Sequence, residues 1–176
     1  SPDWLSAVRR RAWQTFSELG IPVKRRGNEL WKYTDLRPLA EVAFEYGALG
    51  PVTPDEIKTT APWDDAWDTV VVVDGKFSKD LSNLHGTSGL IAGSLDEAIY
   101  SGAGNVEKQL TSLAGGEQYA FTALNTAFLD DGAYVRIADN AELPEPVHVI
   151  FVTSKLAASR AIYPRLLVDA ASNTST

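Results

Sequence analysis

Thr69-Val70-Val71-Val72-Val73-Asp74-Gly75-Lys76-Phe77 is the stretch that decides what kind of core this chain builds. β-Branched side chains are stiff and sit well on a pleated surface, so five in succession predict a strand over residues 69–73. A strand with one wet face alternates apolar and polar residues. Four valines without a polar break instead predict burial on both faces. Asp74-Gly75 ends the strand with residues suited to a turn, and Leu90-Ile91-Ala92 is expected as a second strand beside it.

Upstream of that strand the pattern is helical. Leu5, Val8, Ala12, Phe16 and Leu19 recur at steps of three and four, which predicts an amphipathic helix from Asp3 to Leu19. Gly20 is placed to end it and Pro22 to prevent its resumption. The run Arg9-Arg10-Arg11 fans over the helix away from its apolar stripe. Thr34 or Asp35 opens a short turn containing Pro38. Thr53-Pro54-Asp55-Glu56 is a capping box with proline at the first helical position, predicting a helix to about Thr60.

Downstream, Ser94-Leu95-Asp96-Glu97 is a second capping box, opening a helix to about Tyr100. Val106 to Leu113 is expected as a helix ended by Gly115-Gly116. Phe121, Leu124 and Phe128 keep helical spacing within Glu117 to Leu129, and Asp130-Asp131-Gly132 closes that element. After residue 132 the character changes. Tyr134 to Ala138, Val147 to Thr153 and Ile162 to Val168 are short β-rich segments with no helical pattern between them. Their spacing suits successive coils of a β-solenoid and equally suits antiparallel strands. The reading is therefore an α+β chain with an N-terminal α/β region over 1–132 and a β-rich region over 133–176.

Composition narrows the function classes. The 176 residues are 44% hydrophobic and 22% charged, as expected of a globular chain rather than a disordered one. No apolar run approaches the roughly 20 residues that span a bilayer, and the start shows no signal-peptide pattern, so the expected location is the cytoplasm. With no cysteine the chain holds no disulfide, thiolate metal site, cysteine nucleophile or Cys-ligated cluster. With no methionine it is read as a trimmed piece of a longer protein. The net charge of −7 is unevenly shared: residues 1–40 carry eight basic against four acidic residues, a balance of +4, and the rest carry −11.

No constellation of catalytic residues emerges. His85 and His148 are far apart and lack ligand neighbours at metal-binding spacing, so neither is assigned to a metal. Alternation places His148 on one face of its strand with Ile150 and Val152. Asp64-Asp65 and Asp130-Asp131 flank element ends, where aspartate favours turns. Neither a nucleophile elbow nor a phosphate loop is present. The expected catalytic, cofactor-binding and metal residues are thus none, and the chain is not read as an enzyme. Arg9, Arg10, Arg11, Lys24, Arg25, Arg26 and Lys32 interleave with Trp13, Trp31 and Tyr33, which makes a nucleic-acid-binding module the alternative reading. An overall pI near 4.8 opposes it.

One dense word remains, Glu29-Leu30-Trp31-Lys32-Tyr33-Thr34-Asp35-Leu36. Its rings are expected to fix the N-terminal helix against the Val70 to Val73 strand, with Thr34 as a cap. This word, with Gly20 to Asn28, Val70 to Phe77, Ala123 to Phe128, Ala133 to Ile137, Pro146 to Phe151 and Tyr163 to Val168, is collinear with the N-terminal half of the SufD family. Members of that family are scaffold subunits of the SufBCD iron–sulfur cluster assembly complex, and this chain resembles them closely.

The resemblance implies an N-terminal α/β region followed by the first strands of a truncated right-handed parallel β-helix. It implies a non-enzymatic scaffold that pairs with a SufB-like paralogue and a SufC-like ATPase. The family's functional cysteine and histidine positions lie in later β-helix parts, so this fragment is expected to bind no cofactor itself. An iron–sulfur cluster and ATP are implied only for the full complex. Neither a nucleic acid nor a membrane is an expected partner. A solenoid begun and not capped leaves unpaired edges, so self-association or disorder is expected near residues 160–176.

Overall fold

The structure is a computed structural model that describes residues 1–23, 29–45, 50–113, 119–155 and 160–175. The valine run is its centre. Strand β1, Asp68–Val73, is buried along its whole length, with Val70, Val71 and Val72 fully enclosed. Its two faces serve different layers. Val71 and Val73 pack with Ile150 against Ile57 of helix α3, Pro54–Thr60. Val70 and Val72 point the other way, onto Ala133 with Phe77, Ala92 and Val149. Each fully buried valine contributes roughly 1.5–3 kcal/mol relative to exposure.

Two three-stranded sheets stand face to face. The first has the order β2-β1-β5, where β2 is Lys76–Phe77 and β5 is Val147–Val152. The β1–β2 hairpin turns on Asp74 at φ 48° and Gly75 at φ 85°, the left-handed pair that a two-residue turn requires. β5 lies parallel to β1, with Val70 opposite Val149 and Val72 opposite Phe151. The second sheet has the order β3-β4-β6, made of Leu90–Ser94, Ala133–Ile137 and Leu166–Ala170. Leu90-Ile91-Ala92 is therefore a strand but not a neighbour of the valine run. It pairs antiparallel with β4, because a strand's partner is chosen by long-range packing that local pattern does not encode.

Helices cover the outer face of the second sheet. α1, Asp3–Leu19, α4, Leu95–Ser101, and α5, Val106–Ser112, bring Leu5, Leu95, Ile99, Val106 and Leu110 onto Tyr134 and Leu167. α6, Ala120–Ala127, lies along α1. The Thr53 capping box forms in full, whereas at Ser94 only the cap's own bond forms among the described residues. Thr53 Oγ1 accepts from Glu56 N at 3.3 Å while Glu56 returns to Thr53 N at 2.9 Å, and Ser94 Oγ accepts from Glu97 N at 3.0 Å. Gly20 ends α1 with φ 64° and its N–H on Phe16 O. The terminator Gly115-Gly116 and the basic run Lys24 to Arg26 lie outside the described residues. None of the helices among the described residues is long and apolar enough to cross a membrane.

Strand β6 begins at Leu166 rather than Ile162, since Pro164 has no N–H to give a ladder. β4 and β6 are parallel, and β5 belongs to the other sheet, so an all-antiparallel arrangement of the three late segments is excluded. Both sheets draw strands from either side of residue 132.

Asp74 ties the turn to two distant loops. Its carboxylate accepts from Gly50 N at 3.2 Å, Ser154 N at 2.8 Å and Ser154 Oγ at 2.6 Å. Burial works to raise its pKa, but the bonds from Ser154 and Gly50 and the charge of Arg160 hold it below the ordinary range. A lowered carboxylate contributes stability above its unfolded pKa, near 3.9, that is lost as pH falls through the folded value. In urea titrations Asp74→Asn is expected to trail wild type at neutral pH and to converge on it below about pH 4. A difference independent of pH would count against this account.

Candidate functional site

The most distinctive surface is the side on which β5 and β6 are left as edge strands. β1 packs against β4 and β2 against β3, so the two edges lie on the same side of the sandwich. In a parallel ladder, partners project to the same face. Phe151 therefore shares the inward face with Val72, and Leu166 and Val168 share it with Ala133 and Val135. These are the faces that enclose the inter-sheet core. Yet Phe151 is 44%, Leu166 41% and Val168 50% exposed. Apolar side chains aimed at a core but left half in water mark a core that stops short, an arrangement that sheets ordinarily cover or blunt.

The pairing that leads to this edge keeps one offset through the strands and the corner after them. Ala133 lies opposite Leu166, Ile137 opposite Ala170 and, beyond the strands, Glu142 opposite Ser175. Every pair joins residues 33 positions apart, across a strand and the corner that follows it. Backbone bonds hold that corner in place: Asn140 N donates to Ser172 O at 3.1 Å, and Leu143 N to Ser175 O at 3.0 Å. Beside β6, a groove of about 210 Å³ separates its edge from Gln109 and Leu110 of α5 and from Leu113 just after it. Gln109 Nε2 donates to Asp169 Oδ1 at 2.8 Å, fixing α5 over the outer face of β6.

The segment entering β6 is held by a clamp on α6. Asn125 Nδ2 donates to Pro164 O at 3.0 Å, while its Oδ1 accepts from Arg165 Nε at 2.9 Å; Thr126 Oγ1 takes Arg165 Nη2 at 3.1 Å. Burial lowers the pKa of this guanidinium. Sequence reasoning did not single out this clamp, for its members are some 40 residues apart and form no local pattern.

The sequence's candidate residues are distributed as structure rather than as a site. Asp131 is buried, accepting from Ser94 Oγ at 2.9 Å, Phe77 N at 2.9 Å and Asp96 N at 3.1 Å. Its neighbour Asp130 pairs with Lys76 and lies 3.9 Å from Arg9 Nη2. The pKa of Asp96 is raised by burial and then by the charges of Asp131 and Asp130. Asp64 and Asp65 serve the turn, taking Ala66 N at 2.9 Å and Trp63 Nε1 at 2.7 Å.

His148 does share a face with Ile150 and Val152. The Trp67 ring meets it edge-on at 5.5 Å, and its Nδ1 is buried without a hydrogen-bond partner. His85 lies 3.2 Å from Asn83 Nδ2. Among the described residues no group of three His, Cys, Asp or Glu side chains is placed to hold a metal ion.

The basic run is split in two. Arg9 is part-buried and donates from Nε and Nη2 to Leu129 O, whereas Arg10 and Arg11 are exposed. The aromatic word also differs from expectation. Trp31 packs edge-on to Phe121 of α6 at 5.1 Å, not against the valine strand, and Tyr33 is 90% exposed. Thr34 does not cap: it gives its backbone N–H to Trp31 O, and α2, Arg37–Glu41, has Leu36 as its N-cap, with Asp35 Oδ1 one residue earlier accepting Arg37 N at 3.2 Å. The valine strand has no free face for these rings, since α3 covers one side and the second sheet the other.

Comparison with known proteins bears out the wider SufBD family within the reading of the collinear words. The family model described as the SufBD protein N-terminal region matches residues 1–149. A curated relative, "Iron-sulfur cluster assembly SufBD family protein slr0076" of Synechocystis sp., is 30% identical over 170 residues, covering 94% of this chain and 36% of the relative. The chain thus spans about a third of that relative's length.

Proposed function

The chain belongs to the SufBD family, and from that membership we propose that it is the N-terminal region of a SufD-type scaffold for iron–sulfur cluster assembly. The single observation that carries this reading is the constant 33-residue stacking of β4 and its corner under β6 and the next corner. Strands that alternate between two sheets and stack at a fixed offset are what the opening of a parallel β-helix looks like. The half-exposed Phe151, Leu166 and Val168 are then the floor on which a following coil lies. Downstream chain is its natural occupant, consistent with a relative almost three times as long.

In this reading the fragment is non-enzymatic, cytoplasmic and free of its own cofactor. It acts by positioning a β-helix that pairs with a SufB-like paralogue, in a complex driven by a SufC-like ATPase. The SufD assignment over SufB rests on the 29–36 word. Within the isolated fragment, the same open edge is a route to self-association.

Two measurements test this proposal. The full-length protein co-expressed with a SufB-like and a SufC-like subunit is expected to purify as one complex. Recovery of the full-length protein alone would count against the scaffold role. Separately, Phe151→Glu with Leu166→Glu is expected to leave the melting temperature of the fragment within a few degrees of wild type, since both side chains are already half in water, and to unfold the longer protein's β-helix. Equal tolerance in both contexts would remove the open edge as the floor of a further coil.

A further inference from the structure

The solvent side of α1 carries large and charged residues that the core does not enclose. Arg10, Trp13, Gln14 and Ser17 are spaced three and four apart, which groups them on one side of the helix, and Arg11 borders them. All five are exposed. Arg10 and Arg11 make no hydrogen bond or ion pair among the described residues, whereas Arg9 is engaged with Leu129, Ser1 and Asp130. Trp13 is 49% exposed, yet its ring is held 5.7 Å from Phe16 and 5.7 Å from Phe128. Phe128 in turn stacks on Tyr163 at 4.7 Å. An indole already fixed by its neighbours loses little freedom when covered, the property that makes Trp and Arg recur as anchors of protein contacts.

Charge selects the class of partner. On α1 three arginines stand against Asp3 and Glu18, whereas the chain beyond residue 40 carries −11, so an acidic partner is drawn to the Arg10–Arg11 side of this helix and repelled by the rest, which fixes its place and orientation. Two guanidinium groups make too short a basic track to follow a nucleic-acid backbone, whose phosphates recur along its whole length. We propose that the Arg10–Trp13 face of α1 docks an acidic polypeptide segment bearing one aromatic or large apolar side chain. Its carboxylates pair with Arg10 and Arg11 and its apolar group covers Trp13. This surface uses neither the open strand edge nor any chain beyond residue 176, so it stands apart from the scaffold reading.

The probe is a short fluorescein-labelled peptide of aspartates and glutamates around a single phenylalanine, titrated against the whole chain by fluorescence anisotropy. Binding is expected to weaken steeply with salt. It is expected to fall about tenfold or more in the double variant Arg10→Glu, Arg11→Glu, whose exposed positions leave the melting temperature unchanged. A peptide with serine for phenylalanine is expected to lose a similar factor, which assigns the Trp13 contact without touching the protein. Lack of binding at low salt, equal affinity of the double arginine variant, or tighter binding of a single-stranded RNA of the same charge would each overturn the proposal.

Discussion

Gly132→Ala is expected to abolish cooperative folding of this chain, and it is the most damaging single substitution the structure identifies. A Cβ at Gly132 would stand 1.9 Å from the carbonyl oxygen of Arg165 and 2.8 Å from its carbonyl carbon. Both are backbone atoms, fixed from one side because Ala133 N donates to that same oxygen at 2.9 Å and from the other by the Asn125 clamp on Pro164 and Arg165. Neither strand can retreat without breaking the β4–β6 ladder at its first pair. The φ of 153° adds strain for any L side chain. Overpacking and strain of this kind together cost on the order of 4 kcal/mol or more, a large share of what a domain of this size possesses. Gly86→Ala is the matched control. Its φ is 70° and nothing lies within 4 Å of the added carbon, so it should cost only about 1 kcal/mol. Urea denaturation of the two variants measures the difference, and similar losses for both would show that the Arg165 contact does not limit the fold.

Asp131→Ala is expected to cost about 3–5 kcal/mol, with Asp131→Asn costing less. Its carboxylate gathers three donors from three elements: Phe77 N of β2, Ser94 Oγ at the end of β3 and Asp96 N in the first turn of α4. Truncation leaves those donors buried or half-buried without an acceptor, and it removes a negative charge from the start of α4. The amide of asparagine keeps one acceptor and so preserves part of the network. Thermal unfolding of the alanine and asparagine variants distinguishes this from a simple loss of charge. If the two fall equally, loss of the negative charge at the start of α4 rather than of the hydrogen bonds governs the site.

The elements most legible in the sequence are those whose determinants are contiguous. The valine run announced its double burial because its four side chains alternate between α3 and the second sheet, and no polar residue was tolerable on either side. Thr53 and Ser94 announced their helices because a cap and its partner stand three residues apart. What stayed hidden was long-range. Leu90 to Ala92 carried the composition of a strand but no mark of which sheet would take it. Asp131 looked like turn residue and proved to be a buried hub, since its partners come from 35 to 54 residues away. The rings of the 29–36 word were read toward the strongest strand, although α3 and the second sheet had already filled both of its faces. The open edge escaped notice because half-exposed leucine and valine differ from buried ones only once the register is known.

The order in which strands meet carries a kinetic meaning. β5 must find β1 across a separation of 79 residues, as in the pairing of Asp68 with Val147, whereas β6 finds β4 across only 33. By loop-closure entropy alone the first pairing is dearer by roughly 0.8 kcal/mol, and it also waits on the helices formed between. By closure entropy the β4–β6 pair is therefore expected to form ahead of β1–β5, and a defect in the valine strand is expected to slow the closing of the first sheet rather than the pairing of β4 with β6.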